Sequence, residues 1–201
     1  AGPGFTVQAA EASGTVARGR ALRALRAGEL DAALVGAVDL CCEPVHRSAA
    51  EALLPSGQET PGDAAVVLVL ERLEDAQRQG RRIYAVFDGS AAEGPDDGDA
   101  GTCVKLGLAD GHESLVPRLG HAAAASALVH VAAAALGLHF RRLPDGRPWL
   151  PVEGSRAAEV RVSGDAPPIR LVEAAGHAPW SEEPAPRLRF WAGADRRAVA
   201  E

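Results

Sequence analysis

Residues 5–28 read Phe-Thr-Val-Gln-Ala-Ala-Glu-Ala-Ser-Gly-Thr-Val-Ala-Arg-Gly-Arg-Ala-Leu-Arg-Ala-Leu-Arg-Ala-Gly. The β-branched and aromatic run Phe5-Thr6-Val7 predicts a buried strand. Small residues from Ala9 to Gly14 then allow a sharp turn into a helix. Ala17, Ala21, Leu22 and Leu25 recur at helical spacing, and Arg20, Arg23 and Arg26 form a second stripe. Gly28 ends the helix. The next segment, Asp31-Ala-Ala-Leu-Val-Gly-Ala-Val-Asp39, is a nearly continuous apolar strand with acidic ends. Such a run suits a parallel strand covered on both faces, so the whole reads as strand, elbow, helix, strand.

The elbow residue is Glu11. A group at a helix N-terminus faces unpaired N–H groups and the positive end of the helix dipole. That environment favours an anion and activates nucleophiles such as thiols. From the local pattern alone, the favoured reading of Glu11 is an ordinary carboxylate of a first helical turn.

Composition limits the rest. The 201 residues can bury one sizeable core, or one domain with a tail. Acidic residues outnumber basic ones, 27 to 21, which argues against a broad nucleic-acid-binding face. Three cysteines, two of them adjacent (Cys41 and Cys42), form no CxxC pair, so neither a disulfide framework nor a zinc site is indicated. Cys41, Cys42 and His46 read as two buried thiols and a surface imidazole. A reduced, cytoplasmic setting is expected. Ala122–Leu138 is apolar but interrupted by His130, and no signal peptide or membrane segment is expected.

Further along, Val66–Leu70 and Ile83–Asp88 read as strands, Arg47–Leu54 and Glu71–Gly80 as short helices, and Ala122–Leu138 as a long helix. Gly94–Gly101 is an acidic, glycine-rich loop without the terminal glutamate of an EF-hand. Pro144-Asp-Gly146 marks a turn, and Val160–Ser163 and Ile169–Glu173 a final strand pair. His130 and His139, nine residues apart, do not share a helix face as a ligand pair would.

Three segments in order resemble the β-ketoacyl synthases of fatty-acid and polyketide synthases. The first is Gly2-Pro-Gly-Phe-Thr-Val-Gln-Ala-Ala-Glu-Ala-Ser-Gly14 with the helix and strand behind it. The second is Gly62-Asp-Ala-Ala-Val-Val-Leu-Val-Leu-Glu-Arg-Leu-Glu-Asp-Ala76, and the third Leu119-Gly-His-Ala-Ala-Ala-Ala-Ser126. The resemblance implies an α/β, thiolase-like layered fold over residues 1–175, incomplete at its N-terminus and shortened around residues 90–113. Residues 176–201 would then be a linker toward a following domain. It puts Glu11 where the family has its nucleophilic cysteine, and His121 where the family's Gly-His-Thr motif carries a catalytic histidine. The lysine, asparagine and threonine of that motif fall on Val116, Arg118 and Ala122. The family's His-Gly-Thr-Gly-Thr motif has no counterpart, since His112 stands in an unrelated Gly-His-Glu-Ser context. The family's glycine-rich Phe-Gly-Gly-Thr stretch is replaced by Gly164–Pro168.

These departures imply a non-catalytic scaffold or chain-length-factor-like partner in polyketide or fatty-acid biosynthesis. The alternative is a condensing or decarboxylating acyltransferase completed by another chain. No cofactor is implied; an acyl carrier protein's phosphopantetheine would be the substrate carrier of an active form. A homodimer, or a heterodimer with an active ketosynthase, is expected, with the strand at residues 3–10 as the contact. Phe5–Val7, Ala32–Val38 and Val66–Leu70 are expected in one mixed sheet.

Overall fold

The computed structural model describes residues 2–41, 43–89, 103–150, 155–162 and 167–175. Cys42, the Gly94–Gly101 loop, most of Gly164–Pro168 and everything from residue 176 onward lie outside the described residues. Residues 2–9 form neither helix nor strand, and a 3-10 turn follows at Ala10–Ala12. Helix α1 (Ser13–Arg26) leads to β1 (Ala32–Asp39), α2 (Pro44–Leu53), β2 (Ala64–Glu71) and α3 (Leu73–Arg78). Strands β3 (Val86–Asp88) and β4 (Cys103–Gly107) follow. Then come α4 (Val116–Leu119), a second 3-10 turn at Ala123–Ala125, α5 (Ser126–Phe140), β5 (Ala157–Arg161) and β6 (Ile169–Val172).

The strands form two sheets. β1 and β2 pair antiparallel, Leu34 opposite Val69 and Val38 opposite Ala65. The second sheet runs β3-β6-β5-β4; it is mixed, with β4 parallel to β5 and the other pairs antiparallel. Helix α5 packs against strands of both sheets, and α1 packs against β1 and α5. The larger core joins Leu106, Val131, Leu138, Trp149, Val160 and Leu171. The smaller core joins Ala21, Leu25, Val35, Leu70 and Leu128, so α5 contributes to both. This explains the all-round apolarity of α5. Ala123–Phe140 has the length and composition of a membrane span, and its apolar surface is used between the sheets.

Three sequence expectations need correction. Phe5–Val7 belongs to no sheet among the described residues. A strand needs a neighbour for its backbone groups, and propensity alone does not supply one. Phe5 is instead exposed, under the Arg20 guanidinium at 5.6 Å. Second, the mixed sheet is therefore not built from Phe5–Val7, Ala32–Val38 and Val66–Leu70; the latter two form their own antiparallel pair. Third, β1 is neither parallel nor covered on both faces. Leu34, Val38, Val67 and Val69 are all exposed on one side of the β1–β2 pair. An apolar run on both faces of a strand does not distinguish two covered faces from one covered and one bare.

Candidate functional site

The site begins with backbone strain. Ala10 takes φ 46°, a left-handed conformation that costs a non-glycine residue about 1–2 kcal/mol. Ser13 holds it there. Its Oγ accepts the Ala9 N–H at 2.9 Å and donates to the Ala10 carbonyl at 2.6 Å. Glu11 therefore leaves the chain at a fixed elbow at the head of α1, its side chain about half exposed.

His121 reaches the same place from the other half of the chain, and its backbone is clamped. Its N–H donates to Thr60 O at 2.7 Å, and its carbonyl accepts the Gly62 N–H at 3.0 Å. This is a short parallel bridge between Pro61 and His121. Two glycines permit the crossing. A Cβ on Gly62 would lie 2.0 Å from Leu119 O, and one on Gly120 would lie 2.5 Å from Pro61 O. Gly120 also has φ 74°, which favours glycine.

The imidazole of His121 is 3% exposed. Its Nδ1 accepts the Ala123 N–H at 3.2 Å, so the neutral ring carries its proton on Nε2. Nε2 lies 3.7 Å from Glu11 Oε1, beyond a hydrogen bond, and is buried without any other partner among the described residues. The two residues singled out from the sequence thus meet, one buried and one half exposed.

His130 lies close by and is built the opposite way. Nδ1 donates to Ser126 O at 2.8 Å, and Nε2 accepts the Leu115 N–H at 3.2 Å. Burial pushes its pKa down against the opposing hydrogen bond to Ser126 O, and with Nε2 accepting from Leu115 the ring is neutral. His139 is buried between the rings of Tyr84 and Phe140, each 4.7 Å away. His112 sits in the turn after β4, its Nε2 3.3 Å from Glu159 Oε1 on β5. Cys41 is buried with its Sγ donating to Asp39 at 3.1 Å, and His46 is exposed.

Sequence reading missed Asp39. One carboxylate oxygen accepts the Cys41 thiol and the other the Ala124 N–H at 3.0 Å, tying β1 to the turn after His121. The turn that Asp39 ties down, unlike Asp39 itself, has a signal in the sequence. Ala9-Ala-Glu-Ala-Ser13 and Ala122-Ala-Ala-Ala-Ser126 are near repeats. The structure gives both the same form: a positive φ at the second alanine (46° and 35°), a 3-10 turn, and a serine at the helix start accepting the N–H four residues back.

This constellation offers a carboxylate, an imidazole and elbow amides, with cysteine absent from the elbow. The sequence model described as "Beta-ketoacyl synthase, N-terminal domain" matches residues 1–76, which include Glu11, β1 and β2. Residues 1–76 are thus similar to that domain of the β-ketoacyl synthases. The chain is 38% identical over 121 residues to the PKS-NRPS hybrid synthetase acdB of Aspergillus candidus, covering 54% of this chain and 5% of that protein. It is 39% identical over 104 residues to the phthioceranic/hydroxyphthioceranic acid synthase of Mycobacterium tuberculosis, covering 45% of this chain and 5% of that synthase. The chain thus spans a small fraction of the length of the curated relatives it matches. Its fold is similar to the module-6 ketosynthase of the bacillaene synthase of Bacillus subtilis, with TM-score 0.68 at 22% identity over 87% of this chain and 47% of that one. It is also similar to the PfaC keto synthase-chain length factor, with TM-score 0.58 at 19% identity over 83% and 27%. The similarity in fold thus extends well beyond residues 1–76.

Proposed function

We propose that this ketosynthase-family domain is a non-catalytic scaffold, a chain-length-factor-like partner in polyketide or fatty-acid biosynthesis. The observation that carries this reading is Glu11 at the elbow, beside the buried His121. Claisen condensation needs a group that holds the acyl chain as a thioester, and a carboxylate does not serve. It also needs donors for the developing oxyanion and two histidines for decarboxylation. Of the described histidines, His121 alone faces Glu11; His130 has both ring nitrogens bound to backbone. The bare apolar face of β1–β2 suits a partner, as does the unladdered segment at residues 3–10. That partner is a second copy or an active ketosynthase, in the cytoplasm, with an acyl carrier protein in reach.

A second reading has one observation in its favour. An unpartnered, buried imidazole nitrogen aimed at a carboxylate is an arrangement found at sites of proton transfer. In that reading the domain condenses or decarboxylates acyl thioesters with groups from another chain.

An assay of malonyl- and acyl-carrier-protein turnover separates the two. The chain alone, and its Glu11→Cys variant, are expected to form no condensed or decarboxylated product. Turnover by either protein, alone or completed by a ketosynthase whose own nucleophilic cysteine is replaced by alanine, would overturn the scaffold reading.

A further inference from the structure

His121 is one of two buried imidazoles whose proton positions are dictated by backbone. His130 is fixed by its own helix and by Leu115. His121 depends on the Ala123 N–H, which belongs to a strained turn: Ala123 has φ 35°, unfavourable for a residue with a Cβ. Something must hold that turn.

Ser126 binds one side of it, accepting the Ala122 N–H at 3.1 Å. In the elbow at Ala9–Ser13, the equivalent serine accepts one N–H and also donates to the Ala10 carbonyl. At Ala122–Ser126 the additional tie is Asp39, at the end of β1, whose Oδ2 accepts the Ala124 N–H. Its other oxygen is fixed by the Cys41 thiol, and the Cys41 N–H is in turn held by Asp63 at 2.7 Å. A carboxylate with both oxygens engaged in this way is a rigid clamp, because charge-assisted hydrogen bonds are short and strong.

We infer that Asp39 is a positioning residue: its carboxylate pins the Ala123–Ala125 turn, so that the Ala123 N–H keeps His121 in the Nε2-protonated form facing Glu11. It acts through the backbone and touches neither ring nor Glu11. The inference rests on the Glu11–His121 pair as the centre of the site, and holds whether or not that site turns over. Loss of the clamp frees Ala123 to relax from its strained φ and frees the His121 proton to move to Nδ1. His130, with its own partners, is untouched.

The test is nitrogen NMR of the full chain labelled at histidine, with His121 assigned from His121→Gln. In the wild type, His121 is expected with a bare Nδ1 and a protonated Nε2, and His130 with the reverse. In Asp39→Ala, His121 should become a mixture of the two tautomers while His130 keeps its pattern. Asp39→Asn offers one acceptor oxygen to two donors and retains the side-chain shape, so it reports the same effect in part if the alanine variant does not fold. Cys41→Ala, which removes one tie on Asp39 but leaves the Ala124 bond intact, should shift His121 less than Asp39→Ala does. The inference is overturned if His121 stays fully Nε2-protonated in folded Asp39→Ala and Asp39→Asn, or if it carries its proton on Nδ1 in the wild type. Shifts of equal size at His121 and His130 would also overturn it, by showing general loosening. Carrier-protein turnover enters none of these outcomes, so failure of the scaffold reading is read separately.

Discussion

Replacing Gly62 by alanine should loosen the strap that holds His121. The new Cβ would sit 2.0 Å from Leu119 O, 2.9 Å from Leu119 C and 2.8 Å from Gly120 Cα, where ordinary contact begins at 3.4 Å. All three neighbours are backbone, so no side chain can swing aside. The segments must part by more than about 1 Å, which breaks the paired hydrogen bonds between Thr60, Gly62 and His121. Two lost bonds cost about 1 kcal/mol each, and residual overpacking adds about 1–3 kcal/mol. A destabilisation of about 3 kcal/mol moves the midpoint of urea unfolding by about 1.5 M, taking a slope of about 2 kcal/mol/M. Gly111→Ala is the control. It has φ 77° with nothing within 4 Å of the new methyl, so only backbone strain of about 1 kcal/mol applies. If Gly62→Ala unfolds within about 0.5 kcal/mol of wild type in that assay, the strap does not hold as described.

Glu173 should make stability depend on pH. Burial alone raises its pKa, but hydrogen bonds from Arg141 and Arg156 outweigh this and hold the carboxyl below the ordinary range. A depressed folded-state value stabilises the protein above the unfolded-state pKa, near 4.3, and that contribution is lost as pH falls through the folded value. Thermal melts of wild type and Glu173→Gln should therefore differ at pH 7 and converge below about pH 4; a gap of constant size would refute the assignment. On the bare sheet face, Leu34→Lys with Val67→Lys should change melting by less than about 0.5 kcal/mol while reducing self-association in light scattering. A large loss of stability would mean that the face is buried within the folded chain.

The sequence made the helices and β2 legible because their apolar residues fall at fixed spacing on elements that bury a stripe or a face. The start of α2 was less legible: the expected helix begins at Arg47 and the observed one at Pro44, a residue suited to the first turn of a helix. Phe5–Val7 misled because a strand is a relation between two segments, and composition reports only one of them. β4 was passed over for a related reason. Cys103-Val-Lys-Leu-Gly107 has a charged residue at its centre, and its pairing with β5 joins segments more than fifty residues apart. At the site, Glu11 and His121 were legible from motif order. Asp39 was not, since its partners are a thiol two residues away and an amide far along the chain. Sequence spacing carries no trace of the second.

The elbow at Ala10 has a consequence for how such a domain changes over generations. Its shape is held by Ser13 and the backbone of Ala9 and Ala10, and the side chain of residue 11 takes no part in those bonds. The turn at Ala122–Ser126 takes the same path with plain alanine at the equivalent position, Ala124. Reactive chemistry and architecture are thus separately inherited. A single codon change at position 11 can exchange one acid–base group for another, or silence it, while every hydrogen bond that shapes the elbow persists. A lineage can then retain the folded domain for what it binds after abandoning what it once catalysed.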